Sequence, residues 1–218
     1  ERSRKKNFKV YLQGERVTTP VDHPITRPPM NAVKATYEMA EQAEHEDLMT
    51  ATSHITGEKI NRFCHLHQST DDLVKKVKMQ RMLGHKTAAC FQRCVGMDAI
   101  NAVDSVTFTM DKKLGTTYHE RFLKFLTRMQ EEDWTVDGAM TDPKGDRSLA
   151  PHQQADPDMF VHVVEKRPDG IVVRVRKCHQ TGALNSHWIL IMSTISMAKE
   201  DADYAVSFVA PADAEGIF

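Results

Sequence analysis

The chain has 218 residues, 29 of them basic and 30 acidic, so its formal net charge is -1. This length is sufficient for a substantial core in one large domain or two small ones. The balanced charge gives no reason to expect nucleic acid or an anionic membrane as the main partner.

The sequence carries no recognisable signal for export or membrane insertion. No apolar run approaches the ~20 residues that span a bilayer, and the polar start ERSRKKNFKV lacks the apolar stretch of a secretory signal. We therefore expect a cytoplasmic protein, in which cysteines stay reduced. The chain begins at Glu1 without a methionine and stops at AEGIF directly after a strand-like run, which suggests a fragment.

Two helices are predicted in the first third of the chain. Apolar residues at helical spacing predict a helix from Asn31 to Met49, and the preceding RPP forbids an earlier start. The stretch HQSTDDLVKKVKMQRML predicts a second helix with Ser69 or Thr70 as N-cap, because the two aspartates of its first turn suit the helix dipole. Gly84 either ends this helix or permits close packing.

Two further helices and a domain boundary are predicted next. The helical pattern resumes from about Lys86 through Val103 and again from Tyr118 to Glu132. Beyond Trp134 the stretch DGAMTDPKGDRSLAP is rich in glycine, proline and aspartate, which carry neither helix nor long strand. We assign an N-terminal helical domain to residues 1–136 and a central β domain to residues 137–218.

The second part of the chain has the pattern of an antiparallel sheet. FVHVVEKRPDGIVVRVRK contains two alternating runs joined at Pro168-Asp169-Gly170, and the apolar runs WILIMSTISM and YAVSFVA follow. A helical layer followed by an antiparallel β domain gives an α+β fold class.

Two of the four cysteines lie in the motif CFQRC, as Cys90 and Cys94. On a helix, residues four apart lie on one face with Cβ atoms roughly 6 Å apart, so both thiols can reach one site. This geometry and a reducing compartment disfavour a disulfide. Simple packing on a buried helix face is the alternative. Zinc or an iron-sulfur centre would need two more ligands, and neither Cys64 nor Cys178 has a partner at a recognised spacing.

Three long strings resemble the 4-hydroxybutyryl-CoA dehydratase family, also known as vinylacetyl-CoA isomerases. They are NRFCHLHQSTDDLVKKVKMQRMLGHKTAACFQRCVGMDAINAV, VDGAMTDPKGDRSLAP and HQTGALNSH, and the resemblance runs from about Val10 to Phe218. It implies an architecture shared with acyl-CoA dehydrogenases and flavin-dependent 4-hydroxyphenylacetate 3-monooxygenases, with a C-terminal helical bundle that this chain lacks. It also implies FAD, a 4Fe-4S cluster, an acyl-CoA substrate and, for the full-length protein, a homotetramer.

The resemblance assigns roles around the cysteine motif. Cys90 and Cys94 correspond to two of the four cluster ligands, while the other two ligands and the catalytic histidine base lie beyond Phe218. Arg81 and Gln92 match family positions near the substrate and the cluster, so they are expected to be catalytic.

The implied flavin site has two segments. The first is MTDPKGDR, where the FAD-binding positions are Met140, Thr141, Asp142, Lys144, Gly145 and Arg147. A hydroxyl and two cations on a glycine-containing loop suit a pyrophosphate or the polar edge of an isoalloxazine, and a solvated interdomain loop is the alternative. The second is KCHQTG, with Lys177, Gln180 and Thr181. Thr181 is like the family threonine whose hydroxyl approaches flavin N5, and a plain turn threonine is the alternative.

The implied reaction removes an α proton, uses one-electron oxidation by the flavin to make the β C–H acidic, and expels the γ hydroxyl with the cluster as Lewis acid, which gives crotonyl-CoA. Contact of Lys75, Lys76 and Lys78 with coenzyme A phosphates is a hypothesis beside that of a solvated helix face. Two other functions stay open. One is a cluster-free flavin monooxygenase, against which the cysteine pair argues, and the other is a catalytically inert fragment.

Overall fold

The computed structural model describes residues 2–218, in which we distinguish five α-helices and nine strands. The helices are α1 (Arg27–Glu38), α2 (Glu46–Met49), α3 (Thr70–Thr87), α4 (Cys94–Leu114) and α5 (Tyr118–Glu131). The strands are β1 (Val10–Leu12), β2 (Glu15–Val17), β3 (Thr50–Thr52), β4 (Lys59–Asn61), β5 (Val136–Ala139), β6 (His162–Arg167), β7 (Gly170–Arg174), β8 (Trp188–Ile191) and β9 (Phe208–Pro211). The α+β fold class is confirmed, and the division into residues 1–136 and 137–218 stays a prediction.

The first helix begins and ends earlier than its pattern predicts. α1 starts at Arg27 and takes Pro28 and Pro29 into its first turn. Proline is tolerated there because the first amide groups of a helix have no intrahelical acceptor. The helix ends at Glu38, and only the short α2 precedes Thr50. The prediction of one helix from Asn31 to Met49 is therefore wrong at both ends.

Helix α3 follows its sequence signals at the start and departs from them at Gly84. The Ser69 hydroxyl accepts a hydrogen bond from the Asp72 amide at 3.3 Å, and the Asp72 carboxylate accepts one from the Ser69 amide at 3.1 Å. This reciprocal capping confirms Ser69 as the N-cap. The helix continues through Gly84 to Thr87, and a Cβ added at Gly84 would meet nothing within 4 Å. Gly84 thus neither ends the helix nor serves close packing.

Helix α4 begins at Cys94 and not near Lys86. The chain leaves α3 through Ala88, whose φ is 49°, and turns again at Gln92, whose φ is 56°. Neither residue type favours the left-handed region, so local sequence gave no signal for this turn.

The larger sheet has the strand order β5-β8-β9. β8 pairs antiparallel with β9, and β6 forms an antiparallel hairpin with β7, as predicted. β5, however, is parallel to β8, with Val136 opposite Trp188. The prediction of a wholly antiparallel β domain is wrong at β5. Parallel neighbours are joined by long crossovers, here residues 140–187, and local alternation carries no information about such a pairing.

The main core lies between α4, α5 and the β5–β8 edge of this sheet. It includes Ile100 of α4, Leu126 of α5, Val136 of β5 and Leu190 of β8, all nearly fully buried. Within residues 2–218, none of the helices has the length and apolar character needed to cross a membrane.

The start of α4 is pressed directly onto β5. A Cβ added at Gly96 would collide with the carbonyl oxygen of Val136, and one added at Gly138 would collide with the side chain of Val95. This close approach holds the first turn of α4, and hence Cys94, against β5.

Candidate cofactor site

The two cysteines of CFQRC flank a tight turn and do not share one helix. Cys90 is exposed in the turn before α4, and the half-buried Cys94 is the first residue of α4. The premise that both lie one helical turn apart is therefore wrong. Burial raises the pKa of the Cys94 thiol, and the nearby Cys90 raises it further. The two thiols are therefore near enough for their charges to interact, although the residues between them do not form a helical turn.

Arg93 anchors this turn from inside. Its side chain is almost fully buried, and one guanidinium nitrogen lies 2.7 Å from the carboxylate of Asp133. The other terminal nitrogen donates to the Thr36 hydroxyl at 3.1 Å, and the guanidinium carbon lies 4.4 Å from the ring centroid of Tyr37. A charged, planar group held on three sides fixes the backbone that carries Cys94.

Gln92 joins the cysteine turn to the loop that contains Thr181. The Asn185 side-chain amide donates a hydrogen bond to Oε1 of Gln92, and both side chains are buried. The structure thereby brings together two segments that are almost a hundred residues apart in sequence, the predicted cluster segment and the residues just after the second predicted flavin segment.

The two predicted flavin segments also meet each other. Nζ of Lys177 lies 2.6 Å from the Asp142 carboxylate, with side chains 5% and 6% exposed. The same ammonium donates to the Met140 carbonyl at 3.2 Å. The Gln180 amide donates to the Thr141 carbonyl at 3.3 Å. These contacts fix the start of the MTDPKGDR loop against the KCHQTG segment.

Other predicted residues lie at the surface of the same region. Thr181 is exposed, as are Lys144 and Arg147, and neither cation has an ion pair among the described residues. Gly145 packs closely on Gln154, where a Cβ would not fit. Arg81 is exposed on α3, and within residues 2–218 no hydrogen bond or ion pair joins it to Gln92 or the cysteines. The structure thus connects the cysteine turn, the start of the MTDPKGDR loop and the KCHQTG segment, whereas Arg81, Lys144 and Arg147 lie outside these contacts.

Asp137 is a buried acid that sequence reasoning missed. It is 5% exposed on β5, and among the described residues its Oδ2 has no hydrogen-bond partner. Its carboxylate lies under Gly182, where an added Cβ would be 2.6 Å from Oδ1. Burial raises the pKa of Asp137. An acidic residue inside the otherwise apolar four-residue strand VDGA was the one available signal.

His187 was also missed as a site residue. Its Nδ1 accepts a hydrogen bond from the Thr135 amide at 3.0 Å, so the proton of the neutral ring is on Nε2, which has no partner among residues 2–218. Burial, with Arg2 and Lys6 nearby, lowers the pKa of His187 to about 4. The ring is therefore neutral at physiological pH and offers one free N–H group.

The donor groups fit a flavin and half of an iron-sulfur cluster. Exposed cations, the Thr141 hydroxyl and a closely packed glycine suit an anionic pyrophosphate and a flat ring. Cys90 and Cys94 are free thiols at one turn, the ligand type that iron-sulfur clusters require. In the described part of the chain, no group of three or more His, Cys, Asp or Glu side chains is arranged to hold a metal ion, so the thiols supply at most two of four ligands.

Comparison with known proteins gives one family and two groups of relatives. The family described as 4-hydroxyphenylacetate 3-hydroxylase N terminal matches residues 1–218. The chain is 60% identical over 218 residues to the 4-hydroxybutyryl-CoA dehydratase/vinylacetyl-CoA-Delta-isomerase of Clostridium aminobutyricum, which covers 100% of this chain and 44% of that protein. It is 25% identical over 225 residues to the 4-hydroxyphenylacetate 3-monooxygenase oxygenase component of a Geobacillus strain, again 44% of that protein.

Solved structures give the same two groups. The oxygen-tolerant archaeal 4-hydroxybutyryl-CoA dehydratase from N. maritimus superposes with a TM-score of 0.96 at 52% identity, over 99% of this chain and 43% of that one. The oxygenase component of 4-hydroxyphenylacetate 3-monooxygenase complexed with FAD superposes with a TM-score of 0.74 at 21% identity, over 98% of this chain and 43% of that one. The second likeness shows the fold alone. The chain spans less than half the length of these relatives.

Proposed function

Because the chain belongs to the 4-hydroxyphenylacetate 3-hydroxylase N-terminal family, we propose that it is part of an enzyme that dehydrates 4-hydroxybutyryl-CoA to crotonyl-CoA and isomerises vinylacetyl-CoA. The 60% identity to a dehydratase of that name supports this assignment over the monooxygenases, whose identity is 25%. The observation that carries the proposal is the pair of free thiols, Cys90 and Cys94, at the turn that the Gln92–Asn185 hydrogen bond joins to the residues after Thr181.

Under this proposal the chain holds two cofactors side by side. Cys90 and Cys94 would bind one edge of a 4Fe-4S cluster, while Met140, Thr141, Asp142, Lys144, Gly145, Arg147, Lys177, Gln180 and Thr181 would hold FAD. When bound, the flavin supplies redox chemistry and the cluster supplies a Lewis acid for the leaving hydroxyl. For the full-length protein, the proposal also includes the remaining cluster ligands, the catalytic base, a C-terminal helical bundle like that of acyl-CoA dehydrogenases and a tetrameric assembly.

The chain's own residues would position and shield the reacting groups. The buried Lys177–Asp142 pair fixes the loop that faces the flavin, and Arg93 fixes the turn that presents the two thiols. Thr181, exposed on its loop, would donate to or accept from the flavin ring and so favour one of its redox states. Gln92 would orient the substrate, since its amide is already held by Asn185.

A cluster-free flavin monooxygenase is the second candidate. The identity of 25% to the Geobacillus oxygenase component favours it. That chemistry gives no role to the pair of free thiols, Cys90 and Cys94, at one turn.

The deciding experiment measures iron and FAD in full-length protein purified without oxygen. We expect the Cys90→Ser and Cys94→Ser variants to lose most of their iron and keep FAD, because each removes a proposed ligand and neither touches the flavin loop. Cys178→Ser is the control, since Cys178 is a half-buried free cysteine outside the turn, and its iron content should stay at the wild-type level. Wild-type iron content in either ligand variant would disprove the cluster assignment, and flavin without iron in the wild type would support the monooxygenase.

A further inference from the structure

A cleft of about 550 Å³ opens between the N-terminal segment and α1. Its volume is typical of sites that bind small molecules and cofactors. Its walls include Arg2, Arg4, Arg27 and Lys34, four exposed cations, and two acids, Asp22 and Glu38. Four positive and two negative charges leave an excess of two positive charges on the cleft, in a chain whose overall charge is -1. Such a local excess attracts anions.

The acids in the cleft leave much of this positive charge available. Asp22 is held by Arg4. Lys34 lies 2.6 Å from Glu38 of the same helix, but their side chains are 67% and 53% exposed. Exposed pairs of this kind contribute little energy and exchange partners readily. Lys34 can therefore exchange Glu38 for an incoming anion. The hydrogen bond from Arg4 and the charge of Arg27 help to lower the pKa of Asp22, but Arg27 forms no direct ion pair among the described residues and can also bind an anion.

Two residues that line the cleft carry buried polar atoms that lack partners among the described residues. Asn185 is 7% exposed, and its Oδ1 has no hydrogen-bond partner among the described residues. The same holds for Nε2 of His187, which carries a proton. Buried polar atoms are usually paired, so these two unpaired atoms, on residues that line the cleft, mark positions that a polar ligand would satisfy.

Two residues of the cleft wall contact the cysteine turn. Asn185 lines the cleft and donates to Gln92. Tyr37 also lines the cleft, and its ring carries the guanidinium of Arg93. A ligand that enters between the arginines thus approaches the residues between Cys90 and Cys94.

Lys75 and Lys76 of α3 are a poorer anion site than the cleft. Lys75 lies 2.6 Å from Asp47, and Lys76 is paired with Asp98. Their charges are matched by neighbouring carboxylates, whereas the cleft has an excess.

We propose that the cleft binds the phosphate-bearing part of a coenzyme A thioester, with Arg27 and Lys34 on the phosphates and the thioester end directed toward Asn185 and Gln92. This inference rests on the proposed function, because it takes the acyl-CoA substrate from it. FAD carries the same phosphate chemistry, so an experiment has to distinguish the two sources.

The test measures binding of coenzyme A and, separately, of FAD to the full-length protein by titration calorimetry. The variant is Arg27→Ala/Lys34→Ala. Its control is Arg121→Ala/Lys124→Ala, because Lys124 pairs with Glu120 on an exposed helix face at 2.7 Å, as Lys34 does with Glu38. We expect the cleft variant to bind coenzyme A roughly tenfold more weakly or worse, since charge-assisted contacts are lost. FAD binding and the control should match the wild type.

Each result decides one question. If the cleft variant binds coenzyme A as tightly as the wild type, the proposed role of the cleft is wrong, and the proposed function is unaffected. Weaker FAD binding with unchanged coenzyme A binding would give the cleft to the flavin and overturn the assignment. If the wild-type protein binds coenzyme A through the cleft but does not dehydrate 4-hydroxybutyryl-CoA, the proposed function is wrong. The assignment of coenzyme A binding to the cleft would still hold.

Discussion

His187 couples the stability of the fold to pH. Its neutral ring accepts a hydrogen bond from the Thr135 amide, and burial lowers its pKa to about 4. In the unfolded chain the pKa of a histidine is about 6.5. Below that pH the unfolded state binds a proton that the folded state does not, so the free energy of unfolding falls as the pH drops from about 6.5 to about 4.

We expect the His187→Asn variant to lose less stability in acid. Asparagine Oδ1 can replace Nδ1 as the acceptor and does not titrate. From the two pKa values, the titration of His187 should lower the free energy of unfolding of the wild type by about 2 kcal/mol when the pH falls from about 7 to about 5. Urea unfolding at the two pH values measures it, and the difference between variant and wild type removes the effect of other titrating groups. Equal losses in both proteins would show that His187 charges freely in the folded state.

Individual site residues differ in how far sequence could identify them. Cys90, Cys94 and the MTDPKGDR loop stand out because their residue types are chemically unusual and lie in long family-like strings. Asp137 and Asn185 do not stand out in the sequence, because each is notable only for a buried oxygen atom that has no hydrogen-bond partner among the described residues. That property depends on which distant elements cover them, here the loop at Gly182 and the turn at Gln92.

At the level of elements, the contact between α4 and β5 depends on a missing side chain. A Cβ at Gly96 would enter the space of the Val136 carbonyl. Since this neighbour is backbone, only a shift of the helix or the strand could relieve the clash. The position of Cys94 beside the sheet therefore depends on Gly96.

We expect Gly96→Ala to destabilise the protein by roughly 3 kcal/mol, at the upper end for overpacked sites. Gly84→Ala on α3 is the matched control, because an added methyl meets nothing within 4 Å there, and alanine should stabilise that helix by about 0.5–1 kcal/mol. Denaturant unfolding of both variants gives the comparison. Equal stabilities would mean that α4 is free to move away from β5.

The same elements show what local patterns can predict. α3 and α5 follow from capping residues and helical spacing, which act within a few residues. The start of α4 and the parallel pairing of β5 do not follow. The former depends on positive φ values at Ala88 and Gln92, which packing imposes. The latter depends on a partner strand about fifty residues away.

On the scale of the whole molecule, Arg93 ties the helical layer together. Its guanidinium joins Thr36 and Tyr37 of α1 to Asp133, which follows α5. Arg93 itself directly precedes α4. Three helices therefore converge on one buried cation, and its carboxylate partner is 30% exposed at the side chain.

Removal of that partner is expected to be costly. Asp133→Leu leaves a buried guanidinium without its carboxylate, and breaking a buried pair in this way typically costs about 3–5 kcal/mol. Because Asp133 is partly exposed, we expect Asp133→Leu to lower the free energy of unfolding by about 3 kcal/mol, the lower end of that range. Asp203→Asn is the control, since it breaks a pair with Lys166 whose side chains are 72% and 58% exposed, and such pairs contribute at most about 1 kcal/mol.

The double variant Arg93→Met/Asp133→Leu separates the charge from the packing. With both charges gone, no ion is buried unpaired, so the double variant should be more stable than Asp133→Leu alone. Denaturant unfolding of both single variants and the double variant completes the cycle. If the double variant is instead less stable than either single one, the planar stacking of Arg93 on Tyr37 contributes more than its charge pairing. The three helices would then be joined mainly by the shape of this side chain, and the turn that carries Cys94 would depend on the same contact.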